Sequence, residues 1–195
     1  MTGTILHREG LGCVTGGKKA KAHHEAGHAV VARVLGVTVD HASLLVDVAT
    51  KSIIYALTDS ALYRARSKPL SEQIAAAEID AKVALAGPLA QCRYRPLTEG
   101  QKRKAQEQGW YDDMVNIKSF IGQILYLQQG GEIVDEERTV TIDIDANAFN
   151  ATWRRLNNEA QNLVDQNWQA ISRVAAALLE RRLLYQDDID ALMRD

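Results

Sequence analysis

The stretch AKAHHEAGHAVVARVL, residues Ala20–Leu35, decides the fold prediction for this chain. It is rich in Ala, Val and Leu, contains no proline and is followed by Gly36, a residue typical of the position just after a helix. With about 100° of rotation per residue, His24, His28, Val31 and Leu35 fall on one face. We therefore expect a buried helix whose two histidines point into the core.

Within that helix, HEAGH is the H-E-x-x-H arrangement of residues 24–28. Histidines at positions i and i+4 lie one above the other, so both imidazoles can bind one Zn²⁺ and leave room for a third ligand and a water. Glu25 projects about a quarter-turn away and is suited to take a proton from that water. The alternative is a pair of ordinary core histidines. His23 falls on the side of Val30 and Val34 and is interpreted as a packing or supporting residue.

The composition is that of an ordinary globular domain: 195 residues, 46% hydrophobic, 25% charged and a net charge of -2. Without a basic stripe, nucleic acid is not the expected partner. Cys13 and Cys92 are too far apart for a C-x-x-C site, which favours a reducing compartment.

No apolar run reaches about 18 residues, so we expect no membrane segment and a cytoplasmic protein. We expect residues 1–19 to form a flexible leader and residues 20–195 one domain.

The chain after the first helix is predicted to form a small sheet and then helices. Residues 37–47 and 52–57, the latter SIIYAL, have strand character, and SIIYAL could bind an extended peptide as an edge strand. Ser71 is the expected N-cap of an alanine-rich helix that stops or bends near Gly87-Pro88. Residues 93–109 are polar and predict a surface loop with some helix.

The segment from Trp110 to Gln129 has helical spacing and supplies a candidate third ligand. On a helical wheel Asp113 falls among the apolar positions, whereas Asp112 falls outside them and is interpreted as an N-terminal cap. A carboxylate that faces a core is costly unless it is paired or binds a metal. Asp113 is therefore the preferred third zinc ligand. A register shifted by one residue, with Asp113 as the cap, is the alternative.

The last third of the chain is predicted to be helical. After a short extended stretch at residues 139–145, residues 146–184 read as one long or once-broken helix, and Asp187 is placed to cap a last short helix. The expected fold class is mainly α with a small β-sheet (α+β), in which a zincin-like helix carries H-E-x-x-H.

The order of HEAGHAVVA, LAGPLAQ, GWYDDMVNIK and ALLERRLLYQDDIDALM resembles the peptidase domain of the FtsH family, the M41 zinc metallopeptidases. The resemblance implies a helical bundle that hydrolyses peptide bonds, with His24, His28 and Asp113 as zinc ligands and Glu25 as the catalytic base. The family usually has LAGRxAE where this chain has residues 85–91, and Asn-Asp where this chain has Asp112-Asp113. We expect no ATPase motor or membrane helix of the FtsH type.

Two other function classes compete with this interpretation. Small soluble metallopeptidases of the ImmA/IrrE type also carry H-E-x-x-H, and Glu78 would then be the third ligand. A zinc-containing binding module without turnover is the second, but a metal site of purely structural purpose needs no base such as Glu25. The preferred hypothesis is a zinc metalloendopeptidase acting on flexible or unfolded polypeptides. An ATPase partner acting in trans and self-association stay open.

Overall fold

The computed structural model describes residues 17–44, 61, 65, 67–131 and 143–194. These ranges are mainly helical, with one two-stranded antiparallel sheet, which confirms the expected mainly α class. None of the helices in these ranges is both long and apolar enough to cross a bilayer. The elements in chain order are α1 (Lys18–Val34), β1 (His41–Ser43), α2 (Leu70–Tyr94), α3 (Glu99–Glu107), α4 (Tyr111–Gln128), α5 (Ala146–Gln166), α6 (Trp168–Arg181), β2 (Leu183–Tyr185) and α7 (Gln186–Arg194).

Helix α1 lies at the centre of the core. It begins at Lys18 rather than at Ala20, and it packs mainly against α2 and α6. Its end is a Schellman motif, because the Gly36 N–H donates to the Arg33 carbonyl (3.1 Å) and the Val37 N–H to the Ala32 carbonyl (2.8 Å). Gly36 has a φ of +76°, which glycine adopts without steric cost. The predicted end of this helix is confirmed.

Two glycines let α1 and α2 approach each other closely. A Cβ on Gly27 of α1 would lie 2.6 Å from the Ala86 carbonyl oxygen and 2.7 Å from the Ala90 Cβ. A Cβ on Gly87 of α2 would in turn lie 2.2 Å from Nε2 of His28. On each helix, a glycine leaves room for atoms of the other helix. The ring of His28 therefore packs directly against the backbone of α2 at Gly87.

The predicted N-cap of α2 and the predicted stop near Gly87-Pro88 are wrong. Pro69 occupies the N-cap position and Ser71 is already helical, and the helix continues through Pro88 to Tyr94. A proline inside a helix removes one hydrogen bond and costs about 3 kcal/mol in an exposed position. Pro88 is buried, as are Leu85, Ala86 and Ala90. Burial of this apolar helix against α1 and α4 offsets the local cost.

The small sheet pairs a segment that follows α1 with the segment between α6 and α7. His41 pairs with Tyr185 and Ser43 with Leu183, and the Leu44 N–H donates to the Arg182 carbonyl (2.8 Å). Of the strand predicted at residues 37–47, only His41–Ser43 is a strand within the described residues. The SIIYAL segment and residues 132–142 lie outside the described ranges.

The C-terminal helices match the once-broken prediction but not its end. The break is at Asn167, between α5 and α6, and α6 ends at Arg181, so residues 183 and 184 belong to β2 instead of a helix. Arg182 has a φ of +69°, which turns the chain out of the helix.

Asp187 lies inside α7 rather than capping it, and Asp188 accepts from the Tyr185 N–H (3.1 Å). A bidentate pair between Arg33 and Asp190 fastens α7 to α1 (2.7 and 3.0 Å).

Candidate metal centre

Three side chains from two helices converge in the core. Nε2 of His24 lies 3.1 Å from Nε2 of His28, and these two atoms lie 3.1 and 3.2 Å from the Asp113 carboxylate oxygens. All three residues are buried. One ligand atom from each lies within 4.8 Å of the other two, and this is the group that the described part of the chain offers for a metal ion. The structure thus brings together the three residues that the sequence predicted as ligands.

The local structure explains why these side chains meet. His24 and His28 are one turn apart on α1, and Asp113 lies in the first turn of α4, with its carboxylate near the positive end of the helix dipole. Asp112, the next residue toward the N-terminus, is exposed. It is not the cap of α4, because Trp110 occupies that position. The inward placement of Asp113 is confirmed, and the capping role predicted for Asp112 is wrong.

Acceptors behind each imidazole fix which ring nitrogen carries the proton. Nδ1 of His28 lies 2.8 Å from the Val83 carbonyl, which can only accept, so Nδ1–H is the donor. Nδ1 of His24 lies 3.1 Å from Oε1 of Gln91 and donates in the same way. In a neutral imidazole the other nitrogen is then an acceptor. Both Nε2 lone pairs therefore face the Asp113 carboxylate.

The cluster consequently requires a cation. With neutral rings, all the atoms that face one another are acceptors, which repel at about 3 Å unless a proton or a metal ion lies among them. A tetrahedral Zn²⁺ with bonds of about 2.0 to 2.2 Å would set neighbouring ligand atoms about 3.3 to 3.6 Å apart, a few tenths of an ångström more than the 3.1 and 3.2 Å found here. The donor set and its spacing fit zinc.

Without a metal ion, a proton on His28 fills this role. Burial lowers the pKa of His28, but the charge of Asp113 and its hydrogen bond raise it more, to about 9. Burial raises the pKa of Asp113, yet the charges of His28 and His24 hold it well below its usual range. The geometry and both pKa directions indicate an anionic Asp113 carboxylate that holds a proton on His28.

Glu25 is a buried carboxyl beside this cluster. Burial raises its pKa, His24 and His28 lower it in part, and the charge of Asp113 raises it further. Its Oε2 atom has no hydrogen-bond partner within the ranges that the structure covers. A buried polar atom without a partner costs about 1 to 3 kcal/mol. An unpaired carboxyl oxygen beside the group of His24, His28 and Asp113 is suited to accept a proton from a molecule bound there.

The alternative ligand Glu78 is occupied elsewhere. Its carboxylate forms an ion pair with Arg155 of α5, which also pairs with Glu159. It does not belong to the group of His24, His28 and Asp113. His23, the third histidine of α1, stacks on Tyr94 and Trp168 with ring centroids 4.0 and 5.5 Å apart, and this fits the packing interpretation.

The sequence patterns do not predict the residues behind the histidines. Gln91 and Val83 are far from α1 along the chain, and the pattern at Trp110 predicts only the start of a helix. The small residues of LAGPLAQ were the available signal for these contacts. A helix rich in small residues can pack its backbone closely against another helix, here the one that carries HEAGH. A scan against protein-family models and a search of curated proteins find no match to this chain.

Proposed function

We propose that this protein is a zinc-dependent endopeptidase of the M41-like kind, with a zincin-like active-site helix. His24, His28 and Asp113 would hold the metal, and Glu25 would be the general base. The observation that carries the proposal is the convergence of three buried ligand atoms beside a carboxyl oxygen that has no partner among the described residues. A purely structural metal site has no use for such a carboxyl.

When bound, Zn²⁺ supplies a Lewis acid that polarises a carbonyl and lowers the pKa of water. The protein's own residues supply the proton transfers. Glu25 removes a proton from the water whose oxygen attacks the peptide carbonyl carbon, and it delivers that proton to the leaving nitrogen as the C–N bond breaks. The products are a carboxylate and an ammonium group, which carries the amide hydrogen and both protons of the water. A pKa raised by burial suits a group that takes a proton and then returns it.

We propose flexible or unfolded polypeptides as the substrate class. His24, Glu25 and His28 are each less than a tenth exposed, so the surface of a rigid folded protein cannot come within bonding distance of them. We expect a single extended segment, which is much narrower than a folded domain, to reach these residues instead. The proposal therefore predicts cleavage of unstructured chains and resistance of stable folded domains.

Glu25→Gln tests the proposed function. The amide keeps the size of the side chain and cannot act as a base, so zinc should stay bound while casein hydrolysis falls by about 100- to 10,000-fold. Glu72→Gln, the same change on an exposed residue of α2, should leave both properties unchanged. Cleavage of a stable folded domain serves as the negative control.

Two results would contradict the proposal in different ways. Equal rates of casein hydrolysis by the wild type and Glu25→Gln would show that Glu25 is not the general base. Zinc bound by the wild type without hydrolysis of casein or of a peptide library would favour the binding module instead.

A further inference from the structure

A buried hydrogen-bond chain leads from α4 to His24. Oε1 of Gln91 lies 2.9 Å from the indole Nε1 of Trp110 and 3.1 Å from Nδ1 of His24. Trp110, Gln91 and His24 are all buried. One amide oxygen therefore accepts from two donors, one on the helix that carries Asp113 and one on a predicted metal ligand.

The direction of the Gln91 amide decides the state of His24. A glutamine side chain offers an oxygen that accepts and an NH₂ group that donates, and the two ends are nearly the same size. If the NH₂ group faced His24, Nδ1 would have to accept, and the proton would move to Nε2, where it would occupy the lone pair needed for a metal. The indole N–H of Trp110 can only donate, so it favours the oxygen at that position.

We infer that Trp110 is a positioning residue that acts through Gln91 to keep the Nε2 lone pair of His24 directed at the metal cluster. This inference rests on the proposed metal site. His28 needs no such device, because the Val83 carbonyl behind its Nδ1 has no donating end. Of the two imidazoles, therefore, only that of His24 depends on the orientation of another side chain, the Gln91 amide.

The test is the zinc affinity of four proteins, measured by competition with a chromogenic chelator: wild type, Trp110→Phe, Gln91→Glu and the double variant. Trp110→Phe removes the indole donor and keeps an aromatic ring. It should weaken zinc binding by about 10-fold or more, within the range found for residues that support metal ligands. The matched control is Trp153→Phe, since Trp153 stacks on Phe149 in α5. Its affinity should equal that of the wild type.

The Gln91→Glu background separates orientation from packing. Both carboxylate oxygens accept, so a glutamate presents an acceptor to His24 in either direction. Trp110→Phe should therefore weaken zinc binding by less than about three-fold when Glu is at position 91, a coupling that independent sites do not show. An equal loss in both backgrounds, or no loss in either, would overturn the inference.

Two further measurements keep the test decisive. Denaturation of the metal-free proteins shows whether Trp110→Phe folds, and if it does not, 3-benzothienylalanine at position 110 replaces the N–H by sulfur with nearly unchanged shape. The absorption bands of the Co²⁺-loaded forms should change with Trp110→Phe and return toward those of Gln91→Glu in the double variant. Absence of metal binding by the wild type would refute the proposed function itself, whereas normal binding that Trp110→Phe leaves unchanged would refute only this inference.

Discussion

Gly87→Ala should disable the proposed metal centre although it replaces none of the proposed ligands, because it displaces one of them. The added Cβ would lie 2.2, 2.6 and 2.7 Å from three atoms of the His28 ring, whereas ordinary contacts begin at 3.4 Å. Removing the overlap requires a movement of about 1 Å, and a metal site tolerates about 0.2 Å in its bond lengths. We expect zinc affinity to fall by more than about 100-fold, beyond the usual effect of supporting residues.

The same substitution has two opposing effects on folding stability. Alanine in place of a mid-helix glycine contributes about 1 kcal/mol, whereas overpacking of a core commonly costs about 1 to 3 kcal/mol. We expect a net loss of about 1 kcal/mol in the metal-free protein, measured by urea denaturation in the presence of a chelator. Gly122→Ala is the matched control, because its Cβ would meet only Ile144 Cδ1 at 3.5 Å. It should stabilise the protein by about 0.5 to 1 kcal/mol.

A double-mutant cycle identifies the clash as the cause. In a His28→Ala background the ring is gone, so Gly87→Ala should change sign and stabilise the metal-free protein by about 0.5 to 1 kcal/mol. If Gly87→Ala stabilised the wild type as much as Gly122→Ala does, and zinc affinity stayed the same, the close approach of α1 and α2 described above would be incorrect.

Two substitutions test the ligand set and the core. Asp113→Asn should lower zinc affinity by at least about 100-fold, because an amide oxygen carries no charge. Asp112→Asn on the exposed face should have no measurable effect in the same chelator competition. A loss of zinc affinity with Asp112→Asn and none with Asp113→Asn would contradict this ligand set and support the shifted register. Leu178→Ala in α6 should lower the free energy of unfolding by about 2 to 5 kcal/mol, since this side chain is fully buried, and a loss below about 1 kcal/mol in urea denaturation would contradict its place in the core.

Periodicity was sufficient to predict the placement of the candidate site residues. The spacing of His24 and His28 defines one face of α1, and the apolar positions of α4 turn Asp113 inward. Both features are local, because side chains three or four residues apart share a helix face whatever the rest of the fold does. Whether these residues bind zinc and cleave peptides stays a prediction.

The errors arose where distant residues decide the outcome. Pro88 predicts a helix end by local rules, but α2 continues because its apolar face is buried by α1 and α4. Likewise, residues 183–185 continue a helical pattern, yet they pair with β1 about 140 positions earlier in the chain. The contacts of Gln91 with Trp110 and His24 were missed for the same reason, since no local pattern brings the three side chains together.

The bond between Arg33 and Asp190 has a consequence for the timing of folding during synthesis. These residues are 157 positions apart, and a ribosome adding about 5 to 20 residues per second needs on the order of ten seconds to pass from one to the other. His24 and His28 are covered by α2 and α4, which emerge earlier, so until α6, β2 and α7 emerge only the face of α1 that packs against these later elements stays accessible. A nascent chain of this protein should therefore acquire full protection of α1 from proteolysis only after α7 has left the exit tunnel.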